Sequence, residues 1–114
     1  MIYKIVKNNT DPDRWNCVKY VRTRISNLPW GLWTIGQKRA IIDTQNPKKG
    51  RVAVIKTSAP WGHLAIVKDY DEQSKKITIE EANFDFGKIT ERTGNRSELK
   101  IEGFFNPEKK RWQD

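Results

Sequence analysis

Residues 63–83 carry a pattern that fits a β-hairpin and little else. His63-Leu64-Ala65-Ile66-Val67-Lys68 is a short apolar stretch, Asp71 to Lys76 is a polar turn, and Ile77-Thr78-Ile79-Glu80-Glu81-Ala82-Asn83 alternates. Strand side chains alternate faces, so His63, Ala65 and Val67 point one way and Ile77, Ile79, Glu81 and Asn83 share a face on the returning strand. Antiparallel pairing centred near Gln73 puts both odd-numbered sets on one side. Ala65, Val67, Ile77 and Ile79 then form an apolar patch, and His63 lies beside Glu81 or Asn83 at its open edge. Polar groups there make sense as acceptors that orient an imidazole N–H. Glu80 falls on the opposite face and is expected to be a solvated carboxylate. A one-residue slip of register would exchange the two glutamates.

The remaining segments read as a small α+β protein. At 114 residues the chain is expected to be one domain, with a core from about residue 11 to 107 and a loose basic tail over 108–114. Asp11-Pro12-Asp13 suits a turn or helix cap. A helix then runs from about Asn16 to Ser26, with Val18, Val21, Ile25 and Leu28 at helical spacing and Lys19, Arg22 and Thr23 on the wet side. Asn27-Leu28-Pro29-Trp30-Gly31 breaks it. A second helix is expected within Thr34–Asp43, a turn at Asn46–Gly50, and a buried strand at Val52-Ala53-Val54-Ile55. One or two further strands are expected before Pro107.

The chain has one cysteine and one histidine, so any chemistry that needs either residue falls on Cys17 and His63. Cys17 opens the first helix. A helix N-terminus and a neighbouring imidazolium both stabilise a thiolate, the reactive form of cysteine. A single cysteine forms no internal disulfide and is silent about redox compartment. The aromatic residues Trp15, Trp30, Trp33 and Trp61 suit either core packing or the lining of a glycan or peptide groove. Trp61 is the best groove candidate because it stands two residues before His63.

The formal net charge of +8 is spread along the chain, with clusters at Arg22/Arg24, Lys48/Lys49/Arg51 and Lys109/Lys110/Arg111. Such charge attracts polyanions, either nucleic acid or the anionic polymers of a bacterial envelope. No ribonucleoprotein motif, paired-cysteine zinc spacing or helix-turn-helix is present, so nucleic acid is not expected as a partner. Met1–Thr10 lacks a signal-peptide pattern and no segment approaches transmembrane length, so neither a secretory leader nor stable membrane insertion is expected.

Several blocks occur in an order that resembles one family. They are Cys17-x-x-Tyr20-Val21, Pro47-x-x-Gly50-x-Val52-Ala53-Val54, Gly62-His63-Leu64-Ala65-Ile66-Val67, Ile79-x-Glu81-x-Asn83 and Gly103-Phe104-Phe105. Over roughly Asn16 to Pro107 the chain resembles CHAP domains, the cysteine, histidine-dependent amidohydrolase/peptidases that cut bacterial peptidoglycan. The resemblance implies a papain-like fold in which an N-terminal helix carrying the cysteine packs on a small antiparallel sheet. It implies Cys17 as nucleophile, His63 as general base and then acid, Glu81 as the group orienting His63, and Asn83 as a further polar partner. The chain departs from the family at Arg51, where an acid is common, and in a short spacer between Cys17 and His63, which implies trimmed groove loops. Some relatives bind calcium through acids just before the cysteine. Here Asp11 and Asp13 sit at other offsets, so neither a metal site nor a cofactor is expected.

The function implied is hydrolysis of a peptidoglycan amide, by an N-acetylmuramoyl-L-alanine amidase or an endopeptidase, bacteriolytic and of phage-endolysin or wall-remodelling type. Trp61, Trp15 and Trp30 are the expected substrate contacts, peptidoglycan the partner, anionic envelope polymers a second one, and a monomer the expected state. Cytoplasmic synthesis followed by action on the wall after release is expected, unless the chain is a domain of a longer protein. The alternatives are a non-catalytic basic module binding an anionic polymer, and a cysteine toxin acting on another amide.

Overall fold

The computed structural model describes residues 1–8, 16–85 and 87–108. The Asp11-Pro12-Asp13 cap, Trp15, the Lys109/Lys110/Arg111 cluster and Trp112 lie outside the described residues. In chain order the elements are β1 (Ile2–Asn8), α1 (Asn16–Arg24), α2 (Ile35–Ala40), β2 (Val52–Ile55), β3 (His63–Asp71), β4 (Lys76–Ala82), β5 (Lys88–Gly94) and β6 (Ile101–Phe105). They form an α+β arrangement: one six-stranded sheet of order β1-β5-β4-β3-β2-β6, antiparallel at every junction, with two short helices.

The central hairpin keeps the register that its pattern dictates, but only at the end near His63. Ile66 pairs with Glu80 and Val67 with Ile79, which is the pairing centred on Gln73. Beyond Val67 the ladder shifts by one residue, so that Asp69 faces Thr78 and Asp71 faces Lys76. The extra residue, Lys68, is a β-bulge, which leaves one strand a residue longer than its partner and bends it. β3 therefore runs on to Asp71, past the expected end at Lys68.

Both faces of the sheet are buried around β2 and β3, which is why β2 reads as an unbroken apolar run. On one face Ala53, Ile55, Ala65, Val67, Ile77, Ile79 and Phe104 pack with Leu99 and Ile101. On the other, Val52, Val54, Leu64, Ile66 and Phe105 receive Cys17, Val18 and Val21 of α1 and Leu28 and Leu32 from the segment after it. Adjacent residues Phe104 and Phe105 thus serve opposite cores. The first helix ends at Arg24, two residues early, and a tighter turn (Leu28 N–H to the Ile25 carbonyl, 3.2 Å) closes it.

β1 had no counterpart among the expected strands. All seven of its residues are exposed, so its side chains carry no imprint of a buried face. Ladder hydrogen bonds to β5, with Tyr3 opposite Arg92, hold it at the sheet edge. The cysteine helix is consequently the second element of the chain and not the first.

Glu80 corrects a second expectation. It lies on the face opposite Glu81, but α1 covers that face, and Glu80 is 8 % exposed instead of solvated. Its carboxylate accepts hydrogen bonds from the Tyr20 hydroxyl and from Arg24 Nη2 (3.1 Å), and Lys68 Nζ lies 3.7 Å away. Burial and the Glu80 charge push the Tyr20 phenol up to about 12, so Tyr20 stays a donor at neutral pH. Glu80 therefore ties α1 to β4. Glu80→Ala is expected to lower the unfolding free energy in urea by about 1–3 kcal/mol, because it strands the buried Tyr20 hydroxyl. The NMR titration of His63, across the sheet, is expected to stay unchanged.

Candidate active site

The geometry starts at Gly62. Its φ is +68°, a conformation that favours glycine, and a Cβ there would stand 2.5 Å from Ile35 Cδ1. The chain can thus turn tightly against α2 and deliver His63 as the first residue of β3. His63 is buried, and its Nε2 lies 2.8 Å from Glu81 Oε1. The contact is diagonal across the β3–β4 pair, on the face where alternation placed both residues. With Glu81 ionised, Nε2–H donates to the carboxylate, which leaves Nδ1 for the other side of the ring.

On that side is Cys17, the second residue of α1, which is 4 % exposed. Its thiol hydrogen-bonds with the His63 side chain and accepts from the Leu64 backbone N–H. Burial pushes the thiol pKa up. The His63 hydrogen bond and charge, the Leu64 N–H and the Lys38 charge together outweigh burial, and the net shift is downward. For His63, burial acts downward, but hydrogen bonds and charge from Cys17 and Glu81 raise it to about 9. Both directions favour a thiolate–imidazolium pair at neutral pH.

Glu81 has no exposed surface. Besides His63 it receives Arg92 Nε at 2.8 Å on Oε2, Arg92 Nη2 at 2.7 Å on Oε1, and Thr90 Oγ1 at 3.3 Å. Burial acts to raise its pKa, yet the His63 and Arg92 contacts lower it overall, so the group is a carboxylate. Thr90 faces Glu81 directly on β5 and Arg92 faces Ile79, so the sheet register aims both side chains. Arg92 also stacks on Phe84, with the guanidinium carbon 3.7 Å from the ring centroid.

The sequence reading overlooked Arg92, Thr90 and Lys38. Thr90 and Arg92 share one face of a strand whose pairing to β4 was not anticipated. Lys38 could have been found, since it falls between Ile35 and Ile41 on the helical stripe that packs against the core. It is fully buried.

The other expected site residues scatter. Asn83 has φ +62°, and its Oδ1 accepts from the Gly87 N–H at 3.1 Å, so it shapes the β4–β5 turn while lining the same cleft as His63. That cleft holds about 840 Å³ between Trp61, Lys56, Phe84, Arg92 and Lys100. Core packing is excluded for Trp30 and Trp33, which are 81 % and 54 % exposed. They border a smaller recess of about 170 Å³ beside Val18, where the Arg22 guanidinium lies 4.0 Å from the Trp30 ring. Among the described residues no three His, Cys, Asp or Glu side chains gather as metal ligands, and Asp11 and Asp13 lie outside them.

The model of one protein family, the CHAP domain, matches residues 7–83, most of the chain. The chain belongs to the CHAP family. The matched span includes Cys17, Lys38, His63, Glu81 and Asn83 and stops short of Thr90 and Arg92. No curated protein matches the chain. Membership of the CHAP family generally implies peptidoglycan hydrolase activity.

The Glu81–Arg92 pair yields a stability test. In Arg92→Met the buried carboxylate keeps only His63 and Thr90, and removing one partner of a buried pair costs about 3–5 kcal/mol. Glu81 is held below its ordinary value of 4.5, so its contribution is present above that pH and is lost as pH falls through the folded value. Urea unfolding is expected to show the full deficit at pH 7 and a smaller one near pH 3.

Proposed function

We propose that this CHAP domain hydrolyses an amide bond of peptidoglycan through Cys17, either the N-acetylmuramoyl–L-alanine bond or one in the peptide stem or cross-bridge. The observation that carries this reading is the buried line Cys17–His63–Glu81. In it the carboxylate fixes the imidazole tautomer and the imidazole faces the thiol. The cysteine Sγ attacks the carbonyl carbon, and backbone N–H groups at the start of α1 stabilise the oxyanion. His63 Nδ1–H passes its proton to the leaving amine as the C–N bond breaks. Water, giving its proton to His63, then attacks the thioester and expels Sγ.

Glu81 orients His63 and Arg92 holds Glu81. Asn83 sits at the mouth beside His63. The cleft edged by Trp61 is the place for the peptide or glycan, and the exposed ring of Trp30 offers a second apolar contact, since sugar and peptide faces stack on indole. An enzyme of phage-lysin or wall-remodelling type, papain-like in its catalytic arrangement, fits this set of residues.

Cys17→Ala is expected to abolish release of soluble fragments from purified walls with the fold retained by circular dichroism. Clearance at the wild-type rate would exclude the cysteine mechanism. Mass spectrometry of the wild-type fragments identifies the bond. The pH profile separates the two partners. Alkylation of Cys17 by iodoacetamide needs only the thiolate and is expected to stay fast above pH 9. Amide hydrolysis also needs the His63 imidazolium as proton donor, so it is expected to fall as pH rises through about 9.

The basic surface supports a supplementary attraction to anionic envelope polymers. Lys48 and Lys49 are exposed, whereas Arg51 is half-buried and donates to the Asn46 carbonyl, so it belongs to the loop's structure. Charge reversal at Lys48 and Lys49 is expected to slow clearance of intact walls at low salt and to leave turnover of a small muropeptide unchanged. The screening length of about 8 Å at physiological salt should erase the difference as salt rises. Equal effects on both substrates would remove the targeting role.

A further inference from the structure

Lys38 has the largest of the fully buried side chains, and its ammonium sits within the protein beside the site. The Nζ donates to the Leu32 carbonyl at 2.9 Å and to the Trp61 carbonyl at 2.6 Å. Leu32 belongs to the segment that carries Trp30 and Trp33. Trp61 precedes Gly62 and His63. One side chain of α2 therefore fastens together the two loops that border the cysteine and the histidine. The Thr34–Gln37 capping box, with a further bond from the Trp33 N–H to Gln37 Oε1 at 2.8 Å, fixes the start of that helix.

Two carbonyl dipoles do not offset the cost of burying a full positive charge, which amounts to several kcal/mol unless an anion is near. A methionine would fill the same volume without that cost. The ionised groups around the site alternate in sign: Lys38, Cys17 thiolate, His63 imidazolium, Glu81 carboxylate, Arg92. Each anion lies between two cations. Glu81 has His63 of β3 and Arg92 of β5, and Cys17 has His63 of β3 and Lys38 of α2. The interaction is mutual, because the cysteine charge acts back on Lys38 against the effect of burial.

We propose that Lys38 is a positioning residue of the active site, a buried ammonium that clasps the Leu32 and Trp61 loops and acts as the second counter-ion of the Cys17 thiolate. The proposal rests on the reading of Cys17 as the nucleophile, but it concerns the thiolate itself and needs no wall substrate to test.

The test is the pH profile of Cys17 alkylation by iodoacetamide in the full chain, with folding checked by thermal melting. Lys38→Met is expected to move the midpoint up by about one pH unit, a roughly tenfold loss of rate well below the midpoint, as expected from removing one unit charge a few ångströms away. Lys38→Gln keeps N–H donors for the two carbonyls but not the charge, and is expected to behave like the methionine variant. Lys38→Arg is expected to recover most of the wild-type profile. A glutamine variant with the wild-type profile would reduce Lys38 to a structural clasp and overturn the proposal, as would a wild-type profile for methionine.

Should the neutral variants fail to fold, the wild-type chain carries the test. The Lys38 ammonium, followed by ¹⁵N NMR, is expected to lose its proton at lower pH in Cys17→Ser than in wild type, and an unchanged titration would overturn the proposal. Failure of the wild-type protein to cut peptidoglycan would refute the substrate assignment and leave these alkylation results standing.

Discussion

A carboxylate with no exposed surface survives in a protein only when every lone pair it turns inward meets a donor, and Glu81 meets this demand with four. His63, both nitrogens of the Arg92 fork and the Thr90 hydroxyl converge on it from β3 and β5, the two neighbours of β4. The central three strands are thereby fixed to one another at the level of the site. The imidazole is held in one tautomer with its other nitrogen turned to Cys17. Without this anion the histidine would lose its orientation and the Arg92 charge would have no buried partner. The rest of the site is arranged around that requirement.

The two adjacent glutamates show how far strand alternation reaches. One residue apart on β4, they serve opposite sides of the sheet: Glu81 organises the chemistry and Glu80 anchors α1 through Tyr20 and Arg24. Both are buried, and both are satisfied by partners from other elements. Because the Cys17 helix lies on the Glu80 side while His63 lies on the Glu81 side, the thiol and the imidazole meet at the open end of β3. The positive φ of Gly62 and its close packing on Ile35 make room for that meeting. The bulge at Lys68 keeps the long hairpin from imposing one register along its full length. The outer half can bend while the half near His63 keeps the pairing the site needs.

Charges inside the protein alternate in the same economical way. Lys38 and Arg92 stand at the two ends of a row whose middle members are the thiol, the imidazole and the carboxylate. In a medium of low dielectric each charge is tolerable only beside its opposite. This ordering links packing to reactivity. The burial that would otherwise silence a cysteine is reversed by the two cations facing it, so a nearly inaccessible thiol is held toward its ionised form.

The amino-acid sequence by itself determined the local structure and its periodic consequences. The alternation of residues 63–67 and 77–83 placed His63 and Glu81 on one face and Glu80 on the other. The spacing of Val18, Val21, Ile25 and Leu28 placed the buried stripe of α1, and the sole cysteine and histidine limited which residues could form a cysteine–histidine pair. Those features follow from covalent geometry, which is the same wherever the strand or helix lies. Only the tertiary structure decided the rest. It seated β1 at an edge where no side chain records a buried face, and it covered Glu80 with a helix. It left Trp30 and Trp33 outside the core, and it brought Thr90, Arg92 and Lys38 to groups far away in sequence. Such pairings depend on which elements become neighbours and in what register, and burial gives them their strength, because a charge that water would screen acts at close range once water is excluded.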